Sequence, residues 1–255
     1  MGVAVKHQGN YELLTGNEVG VLLADYLLSQ KKEAGTLPQN PILVKTIVTT
    51  DLVKKICAEY GAKTEEVLTG FKYIGELISD LEKEGRKDDY LLGFEESYGY
   101  LTGTHVRDKD GVNGALSIIE MTAYYKKQGC TLVDKLNQIY AKYGLYEHQL
   151  LSYSFEGASG NLEMKQRLKK LRDNLPEEIA NVKVATTIDY LTQTQFRLPK
   201  ANVLSFELED GSKIIVRPSG TEPLIKTYLS VCFDKSGNAT RLAEFKEYLD
   251  GLFAD

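Results

Sequence analysis

The stretch that most constrains the fold is Pro41–Thr50, which reads Pro-Ile-Leu-Val-Lys-Thr-Ile-Val-Thr-Thr. It is rich in β-branched residues and almost continuously apolar, which is typical of a strand covered on both faces in a parallel sheet. A helix signal follows, and we expect Asp51 to cap it. Further strand signals at 63–68 and 90–93 alternate with helix signals at 15–35, about 75–83, 111–128 and 131–143. Strands that alternate with helices predict a parallel α/β layer for this part of the chain.

The pattern changes after Tyr143-Gly144. Strand signals at 148–155, 182–190, 201–208, 213–217 and 224–233 then follow with only two helix signals, at 161–174 and 240–253. Strands that run together beside flanking helices indicate an α+β plan. The sequence therefore predicts two domains, an α/β domain at 1–145 and an α+β domain at 146–255. The first residues, Met1–Lys6, resemble a strand already under way, so we expect a piece of a longer protein.

The long helix signal at 111–128 carries apolar residues at roughly helical spacing. We expect this apolar side to face the core of the first domain. Its members are Val112, Leu116, Ile119, Met121 and Ala123.

Charge, hydropathy and cysteine usage exclude several classes of protein. A net charge of -5 and a pI near 5.4 argue against a broad nucleic-acid surface, which would need a basic stripe. No apolar run approaches the roughly 20 residues that span a bilayer. Three widely separated cysteines, Cys57, Cys130 and Cys232, are expected to be reduced thiols in a cytoplasmic protein. Neither they nor the three histidines have the spacing of zinc ligands.

A polar loop, Leu92–Gly111, follows the apolar run Tyr90–Leu92. It gathers adjacent carboxylates, a serine, a histidine, an arginine, a lysine and several glycines, a mixture that would suit a polyol with a charged end. Ligands of open α/β sheets lie beyond the carboxyl ends of the strands, where both 69–72 and 94–109 are expected. The alternative is a solvated loop that only caps the next helix.

A second polar stretch is the turn Arg217-Pro-Ser-Gly-Thr-Glu-Pro223. Successive backbone N–H groups, two hydroxyls and a preceding arginine could cradle a dianion. The two prolines would hold the turn rigid and reduce the ordering entropy lost on binding. Composition alone leaves an ordinary hairpin turn with a surface arginine equally open.

Four motifs in this order resemble those of the α-D-phosphohexomutases, closest to the bacterial phosphoglucomutase and phosphomannomutase branch. They are Thr69-Gly-Phe-Lys-Tyr-Ile-Gly75, Gly93-Phe-Glu-Glu-Ser-Tyr-Gly99, Thr104-His-Val-Arg-Asp-Lys-Asp-Gly111 and Arg217-Pro-Ser-Gly-Thr-Glu-Pro223. The resemblance covers essentially the whole chain. It implies the third and fourth domains of that family: a parallel-sheet α/β/α domain, possibly shortened at its start, and a smaller α+β domain with an antiparallel sheet, like the TATA-binding protein.

The resemblance also implies an activity. The family moves a phosphoryl group between C1 and C6 of a hexose through a phosphoserine and a bound Mg²⁺, with a hexose 1,6-bisphosphate as activator. The serine loop and the Asp-x-Asp-x-Asp-Arg metal loop are absent from this sequence, so we expect neither the nucleophile nor metal ligands here. The implied partners are a hexose phosphate and the amino-terminal domains of the same enzyme, without which the chain is expected to be inactive. Neither a nucleic acid nor a membrane is expected as a partner.

Site residues follow from the same resemblance, position by position. The implied substrate-binding residues are Thr69, Gly70 (with Lys72 nearby), Glu95, Ser97, His105, Arg107 and Lys109, and the implied phosphate-binding residues are Arg217, Ser219, Gly220, Thr221 and Lys226. Glu95 and Ser97 match the pair that hydrogen-bonds the sugar O3 and O4. His105 could assist proton transfer, orient a hydroxyl or simply pack, and orientation or packing is the preferred interpretation. Glucose and mannose differ at C2, so this pair does not separate them.

A second hypothesis belongs to another class of protein. The same loops could serve a stand-alone sugar-phosphate binding module without catalysis.

Overall fold

A computed structural model describes residues 1–193, 198–233 and 240–254 of the chain. It divides into two units, residues 1–143 and 144–255. The sequence-based boundary lies two residues later. None of the helices in these described ranges is long and apolar enough to cross a bilayer.

The first unit is built around a four-stranded mixed sheet of order β4-β3-β5-β6. β3 runs parallel to β4 and β5, and β6 is an antiparallel edge strand. The predicted parallel α/β layer is therefore confirmed, with one antiparallel strand added. Its elements are β1 Val3–His7, β2 Asn10–Leu14, α1 Gly16–Glu33, β3 Ile42–Thr46, α2 Leu52–Glu59, β4 Lys63–Val67, α3 Phe71–Lys83, β5 Tyr90–Glu95, β6 Gly99–Thr102, α4 Gly111–Lys127 and α5 Leu132–Tyr143. β1 and β2 form a separate hairpin.

The central strand β3 explains why this sheet forms. All five of its residues are buried, as the apolar run predicts for a strand covered on both faces. Ile42 and Val44 pack with Val67, Phe71 and other apolar residues of β4 and α3. The run ends as a strand at Thr46, because residues 47–49 form a turn instead.

A buried charge network surrounds Lys45 of β3, whose side chain has no exposed surface. Its Nζ lies 2.7 Å from Asp51 Oδ1 and 2.8 Å from Glu66 Oε1. Lys54 joins the same two carboxylates at 3.0 and 2.8 Å. The expectation that the Asp51 side chain caps α2 is wrong, since it makes no capping hydrogen bond. The buried ammonium group of Lys45 must be paired, and the carboxylate of Asp51 forms this ion pair instead of capping the helix.

Helix α4 faces the core with a different side from the predicted one. Val112, Leu116 and Ile119 are 81%, 66% and 65% exposed, and Ala123 is also exposed. Of the five predicted residues only Met121 is buried. The buried side of α4 consists of Gly114, Ser117, Ile118, Met121 and Tyr125. Small residues allow close packing on β6, where Ser117 Oγ lies 3.2 Å from Thr102 Oγ1.

The second unit is an antiparallel sheet of order β7-β12-β11-β10-β9-β8 with two helices. Its elements are β7 Leu145–Ser154, α6 Gly160–Asp173, β8 Glu178–Ile179, β9 Val182–Asp189, β10 Leu204–Leu208, β11 Lys213–Pro218, β12 Leu224–Phe233 and α7 Arg241–Phe253. Buried residues alternate along β12, and its inner face packs with residues of α6 and α7 such as Leu168 and Phe245. The predicted α+β plan is confirmed, although β8 was not foreseen.

Candidate functional site

Much of the predicted polar loop is a β-hairpin. β5 continues to Glu95, β6 begins at Gly99, and these two residues pair across the strands. The turn between them contains Tyr98 at φ 66°, in the left-handed region. Because β3, β4 and β5 are parallel, their carboxyl ends share one edge of the sheet, so Glu95 and Thr69, which follows β4, both lie there.

Glu95 lies in a confined polar position at this edge, with 8% of its surface exposed. Burial raises the pKa of its carboxyl group, and the negative charge of Glu96 adds to the rise. The positive charge of Lys109 and a hydrogen bond with the Ser97 side chain act in the opposite direction. A Cβ atom at Gly99 would be 2.6 Å from Glu95 Oε1, so glycine makes room for the carboxylate. Ser97 and Lys109 thus both favour the ionised form of Glu95, and Lys109 Nζ itself lies 3.2 Å from Asp108 Oδ1.

The neighbouring Glu96 has a different environment. Its Oε2 accepts hydrogen bonds from Thr49 Oγ1 at 3.2 Å and Thr46 Oγ1 at 3.4 Å. Those two hydroxyls also lie 2.7 Å from each other. Glu96 thus ties the hairpin turn to the end of β3, a role that sequence reasoning did not assign.

His105 is coupled to the beginning of α4. Its Nε2 lies 3.0 Å from Asp110 Oδ2, and this hydrogen bond is the main cause that lowers the pKa of Asp110. Asp110 Oδ1 caps α4 by accepting from the amides of Val112 and Asn113. The ring of His105 is thus held at the start of α4, and its role in orienting a hydroxyl, in packing or in proton transfer stays a prediction. Asp110 was missed, although its place just before the helix signal at Gly111 was visible.

The turn Thr69-Gly70 joins β4 to α3. Helix α3 begins at Phe71, about four residues before the helix signal at 75–83, so most of the motif at 69–75 belongs to this helix and Gly75 lies inside it. Gly70 has φ 123°, which favours glycine. Thr69 Oγ1 is buried and has no hydrogen-bond partner within the described ranges.

The turn between β11 and β12 uses some of its amides internally. Ser219 N donates to Leu224 O at 2.7 Å, which closes the hairpin, so the prediction that Ser219 offers its amide to a dianion is wrong. Thr221 N lies 3.4 Å from Ser219 Oγ. Among the described residues the Gly220 amide has no acceptor, and Gly220 and Thr221 are exposed.

Two cations face each other beside this turn. Arg217 of β11 is paired in register with Lys226 of β12, so their side chains lie on the same face of the sheet. Both are half-buried, and neither forms an ion pair or hydrogen bond within the described part of the chain. Like charges opposite each other repel, and a bound anion would relieve this repulsion.

The residues present do not fit the magnesium ion that the resemblance implies. Within residues 1–193, 198–233 and 240–254, no group of three His, Cys, Asp or Glu could hold a metal ion.

Comparison with protein families gives two matches. The family described as phosphoglucomutase/phosphomannomutase, alpha/beta/alpha domain III, matches residues 15–143, and the phosphoglucomutase/phosphomannomutase C-terminal domain matches 163–247. A curated phosphoglucomutase of Staphylococcus haemolyticus is 37% identical over 86% of this chain and 40% of its own length. One from Staphylococcus aureus is 35% identical over 91% and 42%. The chain thus spans about two fifths of the length of these relatives.

Solved structures show the same fold. Parafusin, a phosphoglucomutase from Paramecium, matches with a TM-score of 0.69 at 21% identity, over 98% of this chain and 42% of its own. A putative phosphomannomutase from Thermus thermophilus gives 0.62 at 18% identity, over 98% and 43%.

Proposed function

Because the chain belongs to the phosphoglucomutase/phosphomannomutase family, we propose that it is the part of a phosphohexomutase that holds the sugar hydroxyls and the non-reacting phosphate. The observation that carries the proposal is the buried carboxyl group of Glu95 at the carboxyl edge of the parallel sheet, where a hydrogen bond with Ser97 and the charge of Lys109 both favour its ionised form. Such an edge is where open α/β sheets bind ligands.

Glu95 and Ser97 are proposed to contact two neighbouring sugar hydroxyls. An ionised carboxylate offers two oxygens that accept from both hydroxyls, and the serine hydroxyl donates and accepts. Lys109 is proposed to neutralise an oxygen of the substrate, and Thr69 and Gly70 to contact it from the end of β4. The unpartnered Thr69 Oγ1 supports this, because a ligand would supply its missing hydrogen bond. We propose that His105, fixed by Asp110, orients a hydroxyl.

The second unit is proposed to hold the phosphate. Arg217 and Lys226 supply two positive charges that are otherwise unbalanced, and Gly220 supplies an amide. The side chains of Ser219 and Thr221 remain proposed contacts, although Ser219 Oγ also accepts from Thr221 N at 3.4 Å. An arginine fork and a lysine point charge are an ordinary combination for a phosphate dianion.

The reaction of the whole protein is proposed from family membership. Phosphoryl transfer between C1 and C6 of a hexose depends on positioning and on charge stabilisation. The nucleophilic serine, the Mg²⁺ ligands and the response to a hexose 1,6-bisphosphate belong in this proposal to amino-terminal domains of a longer protein in the cytoplasm. Contacts to hydroxyls and to the non-reacting phosphate would keep the sugar bound while either end reacts.

Titration of the chain with glucose 1-phosphate, followed by heteronuclear NMR, tests this proposal. We expect chemical-shift changes at the amides of Ser97, Gly220 and Thr221. We expect Arg217→Ala to lower the affinity for glucose 1-phosphate at least tenfold. Lys165→Ala, an exposed change on α6, is the matched control and should bind normally. No shift at either site, also after the amino-terminal domains are added, would contradict the proposal. Binding without turnover in that mixture would favour the non-catalytic sugar-phosphate module.

A further inference from the structure

The guanidinium group of Arg107 forms most of its possible hydrogen bonds with residues of the first unit. Its Nε donates to Ser79 Oγ at 2.9 Å, and its Nη1 donates to the carbonyl oxygens of Thr104 and Val106 at 2.7 and 3.2 Å. Its Nη2 forms an ion pair with Glu82. A guanidinium group has five N–H donors, so this arrangement leaves one for a ligand.

The backbone at Arg107 also lies directly on helix α3. A Cβ atom at Gly75 would be 2.1 Å from the carbonyl oxygen of Arg107, closer than any side chain could approach. Ser79 Oγ, which accepts from Arg107, itself donates to Gly75 O at 3.0 Å. Contacts on both the backbone and the side chain thus fix residues 103–110, which we name the pinned loop, on one face of α3.

The pinned loop carries Lys109, whose positive charge lowers the pKa of Glu95 and whose Nζ lies 3.2 Å from Asp108 Oδ1 in the same loop. Asp108 raises the pKa of Glu95, but the effect of Lys109 is the larger of the two. We propose that Arg107 is a positioning residue, which pins this loop to α3 and so places Lys109 beside Glu95, and that it does not contact the sugar phosphate itself. A lysine could not replace it, because one ammonium group cannot reach Ser79, Glu82 and the loop carbonyls together. This inference rests on the proposed function for the role of Glu95 and Lys109, but its test needs no ligand.

The test is to loosen Arg107 without removing it. In the double variant Ser79→Ala/Glu82→Gln, the guanidinium group loses its Ser79 acceptor and the ion pair with Glu82, while Arg107 keeps its positive charge. We expect amide exchange of Asp110, whose N donates to Tyr100 O at 3.1 Å, to become about tenfold faster. We also expect the pKa of Glu95, measured by carbon NMR of its carboxyl group, to rise as Lys109 moves away.

The direction of this pKa change separates positioning from long-range electrostatics. Removal of the negative charge of Glu82 would by itself lower the pKa of Glu95, so a rise requires that Lys109 has moved. Asp80→Asn is the matched control, since it removes an acidic side chain from the same helix that pairs only with Lys83 in the described part. Lys109→Met removes the positive charge of Lys109 completely, so it gives the largest rise in the pKa of Glu95 that we expect.

Two results would overturn the inference. One is a double variant in which the pKa of Glu95 and the amide exchange of the pinned loop match those of Asp80→Asn. The other is glucose 1-phosphate binding that Arg107→Ala weakens and the double variant leaves unchanged, because this would mark a direct contact. If no sugar phosphate binds even after the amino-terminal domains are added, the proposed function fails, while the ligand-free measurements still decide the role of Arg107.

Discussion

The carbonyl oxygen of Glu96 lies so close to Gly16 that a Cβ atom there would be 2.0 Å from it. Gly16 is the first residue of α1 and lies within the capping box that Thr15 and Glu18 form. The hydroxyl of Tyr100 donates to the carbonyl oxygen of Gly16 at 3.0 Å. The turn that carries the Glu95 and Ser97 side chains therefore rests on the first turn of a helix, and a glycine is required at the contact.

We expect Gly16→Ala to lower the free energy of unfolding by about 2 kcal/mol, because backbone atoms must move to admit the methyl group. Gly114→Ala in α4 is the matched control. Its Cβ would meet Tyr100 at 3.6 Å, an ordinary contact, so the change should raise stability by roughly 0.5 kcal/mol through helix propensity. Urea unfolding measures both, and equal effects of the two variants would contradict the contact.

Glu95→Gln should stabilise the chain at pH 7. Burial raises the pKa of Glu95, so its charged form costs free energy in the folded state above the ordinary value of 4.5. Below that pH the carboxyl group is protonated in both states, and the advantage of the variant should vanish. Urea unfolding at pH 7 and at about pH 3.5 tests this, with the exposed Glu76→Gln as control. An advantage of the same size at both values would exclude the ionisation of Glu95 as its cause.

Removal of Lys226 should raise the stability of the chain and weaken anion binding. Because Lys226 lies opposite Arg217, we expect Lys226→Gln to raise the free energy of unfolding by about 0.5 kcal/mol without anions. Inorganic phosphate should stabilise the parent chain more than this variant. Thermal unfolding with and without phosphate measures both effects. If parent, variant and the control Lys165→Gln respond alike to phosphate, the paired cations do not form the anion site.

The outer side of α4 should tolerate charge. We expect Leu116→Glu and Ile119→Glu each to change stability by less than about 0.5 kcal/mol, since both side chains are largely exposed. Met121→Ala on the inner side should cost about 3 kcal/mol, because it leaves a cavity in the core. Circular dichroism during urea unfolding separates these results. A large loss in both outer variants would mean that the helix faces the core as the sequence predicted.

The fold was predictable where one signal dominated. The apolar run around Ile42 and Val44 indicated a strand covered on both faces, and the closely spaced strands after Tyr143 indicated the second unit. Helix α4 was not predictable in this way, because the choice of its buried side depends on close packing of Gly114 and Ser117 on β6. Spacing of apolar residues alone does not contain that information.

The site was predictable as a set of residues more than as a geometry. Motif resemblance named Glu95, Ser97 and Lys109, and in the structure Ser97 and Lys109 both act on the charge of Glu95. The resemblance did not reveal that Arg107 donates to Ser79 of α3, because this contact joins segments that are distant in the sequence. It also did not reveal that the Ser219 amide closes a hairpin, because the motif does not specify the geometry of that turn. Lys45, a lysine within the apolar run of β3, is the sequence feature that indicates the charge network.

That network has a consequence for how the sequence can change over time. Lys45 has no exposed surface, and its charge is balanced by Asp51 and Glu66. Loss of either carboxylate alone would leave a buried charge poorly compensated, and loss of the lysine would leave two acids crowded beside Lys54. Single replacements are therefore costly, while a joint replacement by apolar residues need not be. We expect positions 45, 51 and 66 to co-vary across the family, because a replacement at one of them is tolerated only together with replacements at the others.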